Sequence, residues 1–247
     1  ETTRPERPPW SGFGLDSSPR ATSSAVPHLN APVRRRRGER PVAQEYTGAC
    51  QLCGHEAPRA KMARHLAVCA PAHDKGSRAD PIVRLHIEAE RDPAYWLHVE
   101  GRDSASLEHL DSLLREVWLE CCGHLSAFRR GRTELSKRSP LGSLRRKGVA
   151  FQYEYDFGST TTLRAKVLGY REGSLGRNVL RMLARNTPLK LICASCEAPA
   201  TLVCPFCFDS GSFLFCKAHA LQHPCADEDG LMPAVNSPRM GVCGYTG

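Results

Sequence analysis

Within 33 residues near its C-terminus the chain carries Cys193-x-x-Cys196, Cys204-x-x-Cys207, Cys216-x-x-His219 and His223-x-Cys225. A two-residue gap points both soft donors at one centre about 2.3 Å away, which is what a tetrahedral zinc ion requires. Four such pairs predict two ions. In a cross-brace, Cys193, Cys196, Cys216 and His219 share one ion while Cys204, Cys207, His223 and Cys225 share the other; sequential wiring would group Cys193, Cys196, Cys204 and Cys207. The cross-brace is preferred because the stretch between Cys207 and Cys216, with Gly211-Ser-Phe-Leu-Phe215, reads as a hairpin passing between sites. The single-residue gap in His223-x-Cys225 is tight, so Cys243, brought back by Pro238 and the nearby glycines, is the alternative fourth ligand. Closed Cys/His sets leave no position for a substrate, so these sites read as structural. For Cys204-Pro-Phe-Cys207, the neighbouring donors favour ligation over a redox dithiol.

A further set stands upstream. Cys50-x-x-Cys53 is followed by a short helical stretch holding His65 and Cys69. The i, i+4 spacing puts both donors on one helix face opposite the Cys50 and Cys53 turn, giving a zinc finger with three cysteines and one histidine. Three zinc ions are therefore expected in all. Arg59, Lys61 and Arg64 decorate this helix as phosphate contacts would.

Twelve cysteines would suggest disulfides in a small secreted protein, but zinc spacing with interleaved histidines suits a reducing compartment. No stretch has the length and apolarity of a membrane span or the pattern of a signal peptide, so the expected location is the cytoplasm. The net charge of +8 favours anionic partners, and it is concentrated. Arg129, Arg130, Arg132, Lys137, Arg138, Arg145, Arg146 and Lys147 face a single acid, Glu134, over that interval. A second run, Arg34, Arg35, Arg36 and Arg37 with Arg40, lies in a Pro-, Ser- and Gly-rich stretch without helical or strand periodicity.

Four regions follow: a basic, Pro-rich tail over 1–47, expected to be disordered; the finger over 48–75; an α+β domain over 80–188, an antiparallel sheet with flanking helices; and a C-terminal zinc module over 189–247. In the third region Pro81 to Glu88 and Tyr95 to Glu100 alternate as half-buried strands do. Ser104 reads as the cap of a helix whose Leu107, Leu110, Leu113, Leu114, Val117 and Trp118 form one stripe facing the sheet. His124 to Phe128, Phe151 to Phe157 and Thr160 to Val167 read as strands, with Tyr153, Tyr155 and Phe157 sharing a buried face. Arg177 to Asn186 fits either period, with strand preferred.

The blocks Leu119-Glu-Cys-Cys-Gly-His-Leu-Ser-Ala-Phe128 and Tyr153-Glu-Tyr-Asp-Phe-Gly-Ser-Thr-Thr-Thr162 carry a resemblance, as does the closing Asn236-Ser-Pro-Arg-Met-Gly-Val-Cys-Gly-Tyr-Thr-Gly247. Together they resemble the plasmid ORF-three-like domain family, also described as the TnpR-like accessory protein of some insertion sequences, in its members with a C-terminal zinc segment. The resemblance spans about residues 80–247 and implies a compact α+β domain with transposon association. It implies little about activity. Where many members show an acidic residue, a tryptophan and a histidine after Tyr-Asp-Phe-Gly, this chain has Ser159-Thr-Thr-Thr162, so no role carries over to those positions.

Asp156 and His124 are the obvious acid–base candidates. The structural alternatives are stronger: Asp156 bonding backbone amides of the turn at Gly158, and His124 as a satisfied sheet histidine. Cys121 and Cys122 read as a buried pair of small apolar residues. His86-Ile-Glu88 lacks the helix and the Pro-Cys-x-x-Cys partner of a zinc deaminase. The expected function is thus non-enzymatic: a zinc-containing protein gripping DNA or structured RNA by its phosphates through the basic segment, the arm and the finger helix. The rival is an adaptor that docks a protein partner through the cross-brace, as B-box-like modules do. Neither a membrane nor a small-molecule substrate is expected.

Overall fold

A computed structural model describes residues 46–247, apart from 78, 145 and 226–229. Residues 1–45 of the tail expected to be disordered, with the arginines 34–37, and Arg145 therefore lie outside the described residues.

The alternation over 81–88 produces strand β3 (Asp80–Ala89), whose Val83, Leu85 and Ile87 all enter one apolar core. On one side β3 pairs antiparallel with β4 (Trp96–Arg102), then come β9 (Leu180–Asn186), β1 (Thr47–Cys50) and β2 (Glu56–Pro58). On the other side it pairs with β8 (Thr161–Gly173), then β7 (Ala150–Tyr155), β5 (Ser126–Arg130) and β6 (Thr133–Leu135). The result is a nine-stranded antiparallel sheet in the order β2-β1-β9-β4-β3-β8-β7-β5-β6.

Helices cover both faces. Helix α2 (Leu107–Leu114) continues into a π-helical turn, Arg115–Leu119. Its Leu107, Leu110, Leu114 and Trp118 are buried against Val99, Phe128, Tyr153 and Leu163, so the apolar stripe faces the sheet. The N-cap is Ser106, with its backbone amide donating to His109 Nδ1 at 3.2 Å, instead of Ser104. On the opposite face α1 (Arg59–Ala72) buries Met62, Leu66 and Ala70 against Trp96 and Leu183. A Cβ at Gly48 would run into the Trp96 ring, so only glycine lets β1 lie there. Beneath the end of α1 the fully buried Glu100 is paired with Arg171 and Arg181, and both arginines also reach Asp74.

The sheet differs from the sequence expectation at three places. The finger's first strand pairs with β9, so finger and α+β region share one sheet. Strand β7 stops at Tyr155 because Asp156 takes φ +63°, which breaks the alternation; Phe157 is consequently 52% exposed instead of sharing the face of Tyr153 and Tyr155. The basic segment, to which the sequence pattern assigns no regular element, contains β6 and a 3-10 turn, Leu141–Leu144, whose Leu141 and Leu144 are buried.

Residues 189–247 form a smaller unit. Its sheet has the order β11 (Leu214–Phe215), β10 (Leu202–Val203), β12 (Met232–Pro233). A 3-10 turn, Pro205–Ser210, and the one-turn α3 (Lys217–Ala220) complete it. The last residues return to the larger sheet. Ser237 Oγ donates to the Trp118 carbonyl at 2.6 Å, and Asn236 and Asn186 bond side chain to side chain at 2.7 Å.

Candidate metal centres

A strand end with its turn and one face of a helix build the first centre. Cys50 closes β1, and the following turn, with Gly54 at φ +74°, returns Cys53 toward it. One face of α1 presents His65 and Cys69. Cys50 Sγ and Cys69 Sγ lie 3.8 Å apart, and Cys53 Sγ lies 3.4 Å from His65 Nε2. A tetrahedron with bonds of about 2.3 Å has edges of roughly 3.8 Å, whereas a disulfide would need about 2.05 Å.

In the C-terminal unit the structure brings together Cys193, Cys196, Cys216 and His219 as one set and Cys204, Cys207, His223 and Cys225 as another. This is the cross-brace pairing. Cys196 and Cys216 sulfurs are 3.9 Å apart, and His219 Nδ1 is 3.6 Å from Cys193 and 3.4 Å from Cys216. Cys207 Sγ lies 3.4 Å from His223 Nε2, and Phe215 stacks on the His223 ring at 4.4 Å, fixing its plane. The Ser195 amide donates to Cys193 Sγ at 3.4 Å, as amides do to ligating sulfur. Cys225 rather than Cys243 closes the second set.

Cys243 belongs elsewhere. It meets Cys121, Cys122 and His124 in a fourth set that the sequence expectation of three ions did not include. Cys122 is exposed, so the expected buried apolar pair is not formed, and His124 precedes β5 instead of lying within a sheet. In all four sets the donor atoms lie within 4.8 Å of one another. Each contains three cysteines and one histidine, and together they use every cysteine of the chain. The donor chemistry and spacing fit zinc, with three thiolates more than offsetting its charge.

Asp156 is committed to structure. Its Oδ2 accepts from Arg239 Nη2 at 2.6 Å and its Oδ1 from the Gly158 amide at 3.0 Å, the turn bond expected from sequence. Burial tends to raise its carboxyl pKa, but Arg239 and the turn amides outweigh this and hold it below the usual range. His86 lies on β3 and contacts Glu88 at 3.2 Å, away from every cysteine set. Neighbouring His98 is 3% exposed, and burial, with the nearby His86, Arg84 and Arg59, lowers its pKa to about 3.

The expected phosphate contacts divide. Arg59 pairs with Glu88 at 2.5 Å and is not available as expected, because β3 brings that carboxylate under the start of α1. Arg129 pairs with Glu154 at 2.9 Å and Glu134 at 3.4 Å. Lys137 is drawn to Asp111 at 3.3 Å and to Ser126 at 2.7 Å. Asp111, on α2, is 7% exposed and needs such partners. Lys61, Arg64, Arg130, Arg132, Arg138, Arg146 and Lys147 are exposed.

No family model matches the chain, and no curated protein matches it. Among solved structures, a protein of unknown function from Methanosarcina mazei Go1 is similar at 15% identity over 43% of this chain and 69% of that one, with a TM-score of 0.36. No helix among the described residues is long and apolar enough to cross a membrane.

Proposed function

We propose that this is an intracellular zinc protein that binds nucleic acid through phosphate contacts and does no chemistry on it. Zinc, when bound, supplies crosslinks; the contacts come from the chain's own cations. One observation carries the proposal. Arg130 and Arg132 are exposed at the β5–β6 hairpin, Arg138 at the start of α2, and Arg146 and Lys147 just before β7, and among the described residues none of the five is in an ion pair with a carboxylate. Such a group of unneutralised cations is what counterion release acts on. Lys61 and Arg64 on α1 lie at the other end of the sheet, beside β1 and β2.

Fluorescence anisotropy with mixed-sequence duplex DNA and with a stem-loop RNA tests this. The expected slope of log K against log salt is about −4.5 for five DNA phosphate contacts. Absence of binding at low salt, or affinity unchanged in molar salt, would contradict the proposal. The family resemblance makes DNA the first probe.

A second possibility rests on the C-terminal unit, where Ile192, Phe206 and Leu221 are 50%, 68% and 84% exposed. An apolar groove of about 400 Å³, lined in part by Ile192, runs between Pro188–Ile192 and Ala234–Asn236. This suits a protein partner. Charge reversal at Arg132, Arg146 and Lys147 abolishes nucleic-acid binding under the first proposal, and Phe206→Asp with Leu221→Asp leaves it intact.

A further inference from the structure

We propose that Cys121, Cys122, His124 and Cys243 bind a fourth zinc ion, which clasps the end of the chain onto the large sheet. The sulfurs of Cys122 and Cys243 are 3.6 Å apart and those of Cys121 and Cys122 are 3.8 Å apart, matching the edges of a zinc tetrahedron and the spacings of the other three sets. His124 Nε2 lies 2.9 Å from Cys122 and 3.1 Å from Cys243, pointing into the same centre. A bound ion lengthens these two edges slightly.

The local backbone is shaped to deliver these donors. The π-helical turn ends at Leu119, and Gly123 at φ +74° bends the chain so that Cys121, Cys122 and His124 face one way. From the other side Cys243 adopts φ +51°, one of only two non-glycine residues with positive φ among the described residues. A cysteine held there costs backbone energy, and such outliers persist where the surroundings demand them. The neighbouring glycines, Gly241 at φ +74° and Gly244 at φ +68°, complete the turn that carries its sulfur back.

A second layer supports the cluster. Arg239 is fully buried and donates from Nε to Cys121 Sγ at 3.4 Å, while its other nitrogens hold Asp156 and the Ser159 carbonyl. Hydrogen bonds of this kind orient ligating thiolates. The clasp differs from the other centres in being non-local: three donors come from one turn and the fourth from 119 residues further on. It is also open to solvent, since Cys122 and Cys243 are exposed. Its ion is therefore expected to exchange faster than those of the cross-brace. It goes beyond the nucleic-acid proposal and does not depend on it.

The test is the zinc content of the full chain by native mass spectrometry under reducing conditions. Four ions are expected per wild-type chain, and three in each of the Cys122→Ser and Cys243→Ser variants. A parallel measurement on wild-type protein needs no variant. Maleimide labelling should leave Cys122 and Cys243 protected in zinc-loaded protein and modify both after mild chelation, before the cross-brace cysteines react. Three ions in the wild type, four retained in Cys243→Ser, immediate labelling of Cys122 and Cys243 in the loaded protein, or a Cys122–Cys243 disulfide in fully loaded protein would each overturn the proposal.

Discussion

The two sheets of this protein reach order by different routes. The nine-stranded sheet encloses a continuous core in which Leu85, Leu97, Leu110, Trp118, Tyr153 and Leu163 are all 1% exposed or less, helix on one side and strands on the other. Among its described residues the C-terminal unit buries Val203, Phe213, Phe215, Ala220, Met240 and Tyr245 besides Cys193 and Cys204. Full burial of an apolar side chain contributes about 1.5–3 kcal/mol, and ordering each backbone residue costs about 1–2 kcal/mol. Six such side chains are few for nearly sixty residues, and the two cysteine and histidine clusters of this unit are placed where metal–thiolate bonds would supply the balance, as in other small metal-stapled units. Burial organises one part, and on the proposed zinc reading coordination organises the other.

The contrast breaks most visibly at a ligand. Cys204→Ser should lose one ion and leave residues 189–247 open to protease, since structural zinc provides about 10–16 kcal/mol of apparent binding energy in finger peptides. The β3–β4–β8 core should keep its far-ultraviolet circular dichroism. Limited proteolysis with mass mapping checks both. In the opposite direction Trp118→Ala removes a fully buried ring and should destabilise the large sheet by about 3–5 kcal/mol in urea melts, with the metals of the cross-brace retained.

A smaller effect lies in the charged cluster under α1. The Asp74 carboxyl is held below its ordinary pKa chiefly by hydrogen bonds from Arg171, helped by the Ser174 amide and by Arg181 and opposed by burial. A group with a lowered folded-state pKa contributes stability above its unfolded pKa and loses it as pH falls through the folded value. Asp74→Asn should therefore cost about 1.5–3 kcal/mol at neutral pH, and the gap from wild type should close as pH drops below about 4. Acid releases zinc from both proteins, so the difference between their urea midpoints is the quantity to follow.

The same contrast governs how much the sequence revealed. Strands β3, β4 and β7 showed a period of two, and the apolar stripe of α2 had helical spacing, because each pattern lies within one element. The cross-brace was legible for the same reason: donors two residues apart announce themselves. The fourth set was not, because Cys121-Cys122-x-His124 has no familiar spacing and its last donor arrives from Cys243. A signal existed in the leftovers: once three sets of three cysteines and one histidine were drawn, three cysteines remained, one of them assigned only as an alternative to Cys225. Nor did local pattern show that β1 joins β9, or that Glu88 and Asp111 would take up Arg59 and Lys137. Those are pairings between distant segments, and only the folded sheet makes them neighbours.

Hydrogen exchange on the full chain, loaded with zinc and then fully chelated, tests the division most directly. Chelation should expose the amides of β10, β11 and α3 to rapid exchange while those of β3, β4, β7 and β8 remain protected. Uniform loss of protection across both sheets, or continued protection of β10 and β11 without metal, would contradict it.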